Sequence, residues 1–191
     1  MGTTSIIVEL VIIGFQGIIW LSLVIGVFFG YDWIDFSKAK DWVTILSIAA
    51  IAVSYTLGLI FNSVAATLFG PWRLWVYRMI LPDFESTTKE FWNIYSTIML
   101  ESPDIHKHLE RIFNEIRLLR ATVINLCLIA IFTIIYVVMR TDIGWQIIVF
   151  IIVFSFFLIF LAIWAWKRAM RRYYKIMTYT YKILRSSGDR V

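Results

Sequence analysis

The stretch SPDIHKHLERIFNEIRLLRATVINL (Ser102–Leu126) decides the fold, because it joins a charged segment to an apolar one without a break. Ser102 is a good N-cap, and Pro103 suits the first helical position. No proline or glycine follows Pro103 as far as Met139, so the sequence predicts one helix of 37 residues, about 55 Å long. The hydrocarbon core of a bilayer takes only about 30 Å. Roughly 25 Å of this helix should therefore project from the membrane.

Four segments are long and apolar enough to cross a bilayer, which takes about 20 residues each. The 191 residues are 60% hydrophobic, and the mean hydropathy of +0.79 is far too high for a soluble domain of this size. Spans in lipid must be helical, because their backbone groups find no water there. The sequence predicts an all-α integral membrane protein with one membrane domain over 1–191 and spans at about 10–30, 43–69, 121–139 and 144–166.

Basic residues are divided unequally between the two sides of this bundle. Of the 18 Lys and Arg, three lie in the short connections 31–42 and 140–143, and fifteen lie in 70–120 and 167–191. The positive-inside rule places both termini, the segment 70–120 and the basic tail 167–191 in the cytoplasm, below the cell inner membrane. Because the tail begins directly at the membrane, we expect it to face anionic inner-leaflet lipids and expect no direct nucleic-acid contact.

The cytoplasmic segment 70–120 is predicted to be helical. The run WRLWVYRMILP at 72–82 mixes aromatic and basic residues, which is typical of a short interfacial helix. Thr87 and Glu90 match a capping box that opens a second short helix, with Tyr95 and Ile98 on one of its faces.

The long third helix carries an apolar seam that runs from its charged part into the span. Its positions alternate by four and three, which is coiled-coil spacing, and the end of span four repeats the pattern. Both helices should therefore continue into the cytoplasm and form a stalk, by pairing either within one chain or between chains. The seam residues are Ile105, Leu109, Ile112, Ile116 and Leu119 on the third helix and Met170, Tyr174 and Met177 on the fourth.

Span two repeats a small or short side chain every four residues. Such a stripe lets helices approach closely in lipid, where packing drives association. We expect it at the centre of the bundle or at a subunit contact, and we expect a homo-oligomer. Span four is nearly all bulky and should face lipid. The stripe consists of Ala50, Ser54, Gly58, Asn62 and Ala66.

Polar side chains occur within or beside the apolar spans at Glu9, Gln16, Asn62 and Asn125. An ionisable group in a membrane is a candidate functional site, but Glu9 lies near the headgroups if span one begins at Leu10. These residues suit either a small-ligand cavity or hydrogen bonds between helices, which contribute about 0.6 kcal/mol on average. We favour the second interpretation.

Metal and cofactor sites are not expected. The two histidines, His106 and His108, point to different sides of a helix, so they do not suit one metal ion. Cys127 is the single cysteine and lies in span three, where a small buried side chain is its expected role. No phosphate-binding glycine loop or hydrolase motif is present, so we expect no enzymatic activity.

The segments SYTLGLIFNSVAATLF (54–69) and ERIFNEIRLLRATVINL (110–126), with the basic end of span four, carry a resemblance of organisation. The chain resembles small bacterial four-span proteins of defence loci, namely the Kiwa-type membrane component and CRISPR-accessory membrane proteins. The first resemblance implies an oligomeric membrane sensor with a cytoplasmic partner. The second implies an oligomeric pore.

Three functions fit these observations. The first is an oligomeric inner-membrane scaffold or sensor that recruits a soluble cytoplasmic protein, a role that the resemblance associates with anti-phage defence. The alternative is an oligomeric pore or membrane-perturbing effector lined by Gln16, Asn62 and Asn125, which the lack of a charged ring at mid-membrane disfavours. The third is a small transporter that uses Glu9. In the first, the partner would bind the exposed stalk residues Arg111, Arg117, Arg171, Arg172 and Lys175.

Overall fold

The computed structural model describes residues 3–31, 42–72, 76, 88–141 and 144–188. About 96% of the chain so described is helical and none of it is a strand. Four of the described helices are long and apolar enough to cross a membrane. The predicted all-α fold with four such helices is therefore confirmed. The elements are α1 (Thr3–Phe29), α2 (Val43–Leu68), α3 (Thr88–Glu101), α4 (Pro103–Arg140) and α5 (Trp145–Gly188).

The C-terminus of α1 is closed by a glycine and by an arginine from α4. Gly30 has a φ of 70°, a left-handed conformation that glycine adopts without a steric penalty. Arg140, at the last position of α4, donates from Nε and Nη2 to the carbonyl of Val27 at 3.1 and 3.0 Å. Its Nη2 also donates to the carbonyl of Phe28 at 3.1 Å. The positive side chain thus satisfies carbonyls that a helix end leaves unpaired.

Helices α1 and α2 approach each other closely enough to bring their backbones into contact. A Cβ on Gly14 would lie 1.6 Å from the carbonyl oxygen of Ser54, and a Cβ on Gly58 would lie 1.9 Å from that of Leu10. No side chain fits at either position, so glycine is required at both. Because the two contacts lie on successive turns, they also fix how far one helix is shifted along the other.

Aromatic side chains fill the space between α1, α2 and α4. The Trp20 ring stacks on Phe132 at 5.9 Å and meets Phe61 edge-on at 5.6 Å. Gly17 makes room for Phe61, since a Cβ there would lie 2.7 Å from the phenyl ring. Offset and edge-to-face arrangements of this kind are those that aromatic rings prefer.

Helices α4 and α5 are unbroken and extend far beyond the length of one span. They contain 38 and 44 residues, which corresponds to about 57 and 66 Å. Ser102 occupies the N-cap position of α4, but its hydroxyl makes no capping hydrogen bond, contrary to the role that we assigned to it. Both helices continue from their apolar segments into their charged segments without a kink-forming residue.

The main hydrophobic core lies between α4 and α5, with α3 packed against both. Ile94 and Ile98 of α3 are buried in it, as is Phe69, which directly follows α2. Within the described residues, α1 packs chiefly on α2 and α4, while α5 packs chiefly on α4. Most of the apolar surface of α5 in its span is exposed, which is the surface expected to face lipid.

Several predicted features lie outside the described residues. The proposed interfacial helix at 72–82 is described only at Trp72 and Val76, and the proposed capping residue Thr87 is not described. The second short helix predicted after it corresponds to α3.

Candidate functional site

A buried asparagine links α4 to α1 in the apolar part of the bundle. Asn125 has none of its surface exposed. Its Nδ2 donates to the main-chain carbonyl of Ile13 at 2.9 Å and to Oε1 of Gln16 at 3.3 Å. Its Oδ1 has no hydrogen-bond partner among the described residues. Asn125 and Gln16, which the sequence analysis selected separately, thus form one contact.

A second polar contact links α4 to α2. Arg120 donates from Nη2 to Oδ1 of Asn62 at 3.1 Å and approaches the Asn62 carbonyl at 3.5 Å. Asn62 is half-buried. Glu9 lies inside α1 and is also half-buried. Of the four polar residues that the sequence analysis selected, Asn125 and Gln16 bond to each other and Asn62 bonds to Arg120. The fourth is the carboxylate Glu9.

Within the single chain, these two pairs connect helices and do not line a pore. Asn125 faces α1 and is shielded from solvent on every side. A side chain that lines a pore must be open to the water path. The geometry suits interhelical hydrogen bonding, which contributes about 0.6 kcal/mol on average in membranes.

The small-residue stripe of α2 is used partly within the chain. Ser54 and Gly58 are buried against Gly14 and Leu10 of α1. Ala66, at the other end of the stripe, is exposed, and Ala50 is intermediate. The middle of the stripe therefore serves the α1 contact, and only its ends are left for another chain.

The charged ends of α4 and α5 form a closed two-helix unit, which we call the arm (residues 103–120 and 167–184). Its seam is filled from both helices of one chain, so pairing within the chain accounts for the seam pattern. Around it pack the partly buried Ile105 and Leu119, with Tyr181 and Leu184 near the end of α5. The buried seam residues are Leu109, Ile112, Ile116, Met170, Tyr174 and Met177.

An ion pair in which one guanidinium nitrogen contacts both carboxylate oxygens joins the two helices of the arm at its surface. Arg172 donates from Nη2 to Oε1 of Glu115 at 2.8 Å and to Oε2 at 3.0 Å. The two side chains are 50% and 45% exposed, so solvent screens the attraction. Such a pair contributes about 0–1 kcal/mol.

Helix α3 is attached to the arm through an unexpected polar contact. Oη of Tyr95 and Nε2 of His106 share a hydrogen bond of 2.8 Å, and their rings meet edge-on at 5.2 Å. Burial, and then the nearby charge of Glu110, raises the pKa of the Tyr95 hydroxyl above its usual value of 10.0. No local pattern in the sequence indicates this contact, because it depends on the angle between α3 and α4.

The five basic residues assigned to partner binding occupy different environments. Arg111, Arg171 and Lys175 are exposed. Arg172 is held by Glu115, and Arg117 is half-buried with its Nη1 3.5 Å from Oδ1 of Asn114 on its own helix. The freely presented cationic surface of the arm therefore centres on the first three.

Metal-binding groups are not clustered within the described ranges, where no set of three or more His, Cys, Asp and Glu side chains could hold an ion. Cys127 is half-buried in α4. The fold and these contacts define an all-α protein with four helices long and apolar enough to cross a membrane, in which the charged ends of α4 and α5 pack on each other. The chain matches no family model, no curated protein and no solved structure.

Proposed function

We propose that the chain is an inner-membrane scaffold or sensor whose arm recruits a soluble cytoplasmic partner. The observation that carries this proposal is that the apolar seam of the arm is filled within one chain. The outer surface of the arm, apart from the Glu115–Arg172 ion pair and the face that α3 covers, is therefore not needed to hold its two helices together. That surface is available to another protein, and the resemblance of organisation described above suggests anti-phage defence as the setting.

Charge supports a partner with an acidic surface. Helix α5 contains no aspartate or glutamate from Trp145 to Gly188, and its Lys and Arg all lie at or beyond residue 167. Arg111 of α4 adds a further exposed cation. Complementary charge speeds encounter and suppresses wrong partners more than it raises affinity. The proposal thus predicts association that weakens as salt is added.

The unbroken helices support the proposed sensor role. A change in membrane thickness or tension that tilts α4 or α5 also moves the arm, because the helices contain no residue at which to bend. A stimulus acts only if it favours one of two arrangements by differential contacts. Recruitment would then differ between the two arrangements of the arm.

Orientation is tested by labelling with a membrane-impermeant maleimide. The exposed sites Gly144 and Ser186 are each changed to cysteine in a Cys127→Ala background. With both termini in the cytoplasm, G144C is labelled in intact spheroplasts and S186C only after permeabilisation. The reverse pattern overturns the proposed orientation.

Recruitment is tested by native mass spectrometry of the protein purified in mild detergent from cells that keep the neighbouring genes. The double variant Arg111→Glu with Lys175→Glu should lose the co-purified partner. The matched control, Lys38→Glu with Lys40→Glu, changes the net charge equally on the side that the positive-inside count places outside, and it should keep the partner.

A homo-oligomer that carries a partner lost only in the arm variant supports the proposal. A homo-oligomer without a partner contradicts it and directs attention to the pore, for which ion flux through liposomes is the next measurement. A monomer without a partner contradicts both and favours a transporter that uses Glu9.

A further inference from the structure

One side of the charged part of α5 is exposed, and it is almost uniformly basic. From residue 168 to residue 182, about 21 Å of helix, the exposed positions share one side that is about 100° wide. The buried seam residues Met170 and Met177 lie on the opposite side. Five cations and one tyrosine make up this exposed surface, which we call the basic strip. Its residues are Arg168, Arg171, Arg172, Lys175, Tyr179 and Lys182.

Most of the positive charge of the basic strip is not neutralised within the chain. Arg172 pairs with Glu115 across the arm. Arg171, Lys175 and Lys182 form no ion pair in the part of the chain that the structure describes. Helix α5 contains no aspartate or glutamate that could offset them. The strip therefore presents uncompensated charge along most of its length.

The basic strip runs away from the apolar span, so lipid headgroups do not cover most of it. Helix α5 is unbroken, and its span is predicted to end near Trp166. Lys175 and Lys182 lie about 14 and 24 Å farther along the helix axis. The attraction of an anionic membrane surface falls off within about 8 Å at physiological salt. The cations at the far end of the strip therefore suit an anionic surface that extends along the arm.

Two exposed side chains with apolar surface border these cations. Tyr179 is 69% exposed and Ile183 is 49% exposed, and they lie one helix turn apart on the same side. Aromatic residues and arginine are enriched among the residues that dominate protein–protein interfaces. An amphipathic helix with acidic residues on successive turns matches both the line of charge and the apolar contact.

A protein helix fits this surface better than a nucleic acid does. The strip offers four cations that are not paired with a carboxylate, whereas strong, salt-dependent binding to DNA involves contacts to about six to ten phosphates. A phosphate backbone would also leave Ile183 without an apolar contact.

We propose that the partner recruited by the arm docks an acidic amphipathic helix along the basic strip. This inference rests on the proposed recruitment function and names the chemistry of the partner. Carboxylates on successive turns of the partner helix lie opposite Arg171, Lys175 and Lys182. An apolar side chain of the partner packs on Tyr179 and Ile183. The charges set the register and the choice of partner, as flanking charges do in a coiled coil.

The test is photo-crosslinking of the full-length protein in cells that keep the neighbouring genes. The photoreactive amino acid p-benzoylphenylalanine is incorporated at Tyr179 or, as the matched control, at Phe113, which is also an exposed aromatic residue of the arm. The Phe113 ring lies 6.1 Å from Tyr173, on the side of α5 away from the basic strip. We expect a protein adduct from Tyr179 only. Mass spectrometry should show that the cross-linked peptide carries acidic residues three or four positions apart.

Charge variants test the electrostatic part of the proposal. With the photoreactive group at Tyr179, Lys175→Gln and Lys182→Gln should each lower the yield of the adduct about threefold, the effect of one exposed ion pair. The matched control is Lys107→Gln. It removes an exposed cation of α4 that pairs with Asp104 on its own helix, so the yield should not change.

Four results would overturn the proposal. They are an adduct at Tyr179 that nuclease removes, an adduct with a second copy of the chain, a cross-linked peptide without acidic residues at that spacing, and an equal yield from Phe113. A partner that co-purifies in native mass spectrometry but gives no adduct at Tyr179 also overturns it, while the recruitment function stands. If no partner co-purifies, the recruitment function fails and this inference fails with it.

Discussion

The side-chain amide of Asn125 donates a hydrogen bond to the main-chain carbonyl of Ile13 across 2.9 Å, linking residues 112 positions apart in the chain. Both residues are almost completely buried. A carbonyl inside a helix already has a partner in its own helix, so this additional bond uses its second lone pair. Helix α1 is thereby attached to α4 at a fixed height.

Replacing Asn125 should loosen the contact between α1 and α4. Asn125→Leu removes both donated hydrogen bonds, and we expect it to lower the free energy of unfolding by about 1–2 kcal/mol, near the upper end for polar contacts in membranes. Gln16→Leu leaves the bond to Ile13 intact and should cost about 0.6 kcal/mol. Unfolding in mixed micelles with increasing dodecyl sulfate, followed by circular dichroism, gives both values. A larger effect of Gln16→Leu would contradict this ranking.

Adding a single methyl group to α1 or α2 should disrupt their contact. Gly14→Ala and Gly58→Ala each place a Cβ against a backbone carbonyl, so the helices must separate, at a cost of about 1–3 kcal/mol. Gly70→Ala and Gly144→Ala are the controls, because nothing lies within 4 Å of the added Cβ at either position. The same unfolding assay measures all four. Tolerance of alanine at both Gly14 and Gly58 would show that the helices do not meet as described.

The ion pair between Glu115 and Arg172 should contribute modestly to the stability of the arm. A double-mutant cycle with Glu115→Gln and Arg172→Gln should give a coupling free energy of about 0.5–1 kcal/mol, which declines as salt is added. Lys107 and Asp104 provide a reference, since they are 3.7 Å apart and 62% and 97% exposed, and their coupling should be smaller. A coupling at Glu115 that does not respond to salt would rule out this electrostatic explanation.

Ionisation of Tyr95 should destabilise the packing of α3 on the arm. Burial and then the charge of Glu110 raise its pKa, so the folded protein favours the neutral phenol. This preference adds to the free energy of unfolding in full below the pKa of tyrosine in the unfolded chain, about 10. The contribution is lost as the pH rises from there through the raised pKa of Tyr95 in the folded protein. Tyr95→Phe should abolish this alkaline loss while costing about 0.5–1.5 kcal/mol at neutral pH, through the lost bond to His106.

The check is the thermal unfolding temperature of the unaltered protein and of Tyr95→Phe, measured from neutral pH to pH values above about 10. The control is Tyr179→Phe, because that side chain is 69% exposed and its replacement should leave stability at neutral pH unchanged. An alkaline transition that persists in Tyr95→Phe would assign it to another group.

The seam of the arm could be predicted because its information is local. Positions such as Leu109, Ile112 and Ile116 share a helix face by spacing alone, and the partner helix repeats the same spacing at Met170 and Met177. The choice between pairing within and between chains could not be predicted, because it depends on how the two spans are joined and tilted.

Contacts between distant helices were less predictable. The stripe of α2 was recognised, but a pattern on one helix does not identify the helix that faces it, and the partner proved to be Gly14 and Leu10 of α1. Arg140 was counted only as a charge on a short loop. Its role in closing α1 depends on the tertiary proximity of two helix ends, which no spacing in either segment encodes.

The attachment of Arg140 to the end of α1 holds one end of α4, and Pro103 begins α4 at its other end, about 57 Å away. No proline or glycine interrupts α4 between its two ends, and Arg120 and Asn125 attach its middle to α2 and α1, so it is a continuous connection that is held at several points. Helix α3 precedes Pro103, with only Ser102 between them, and packs on both α4 and α5. One unbroken helix thus links the C-terminus of α1 to α3.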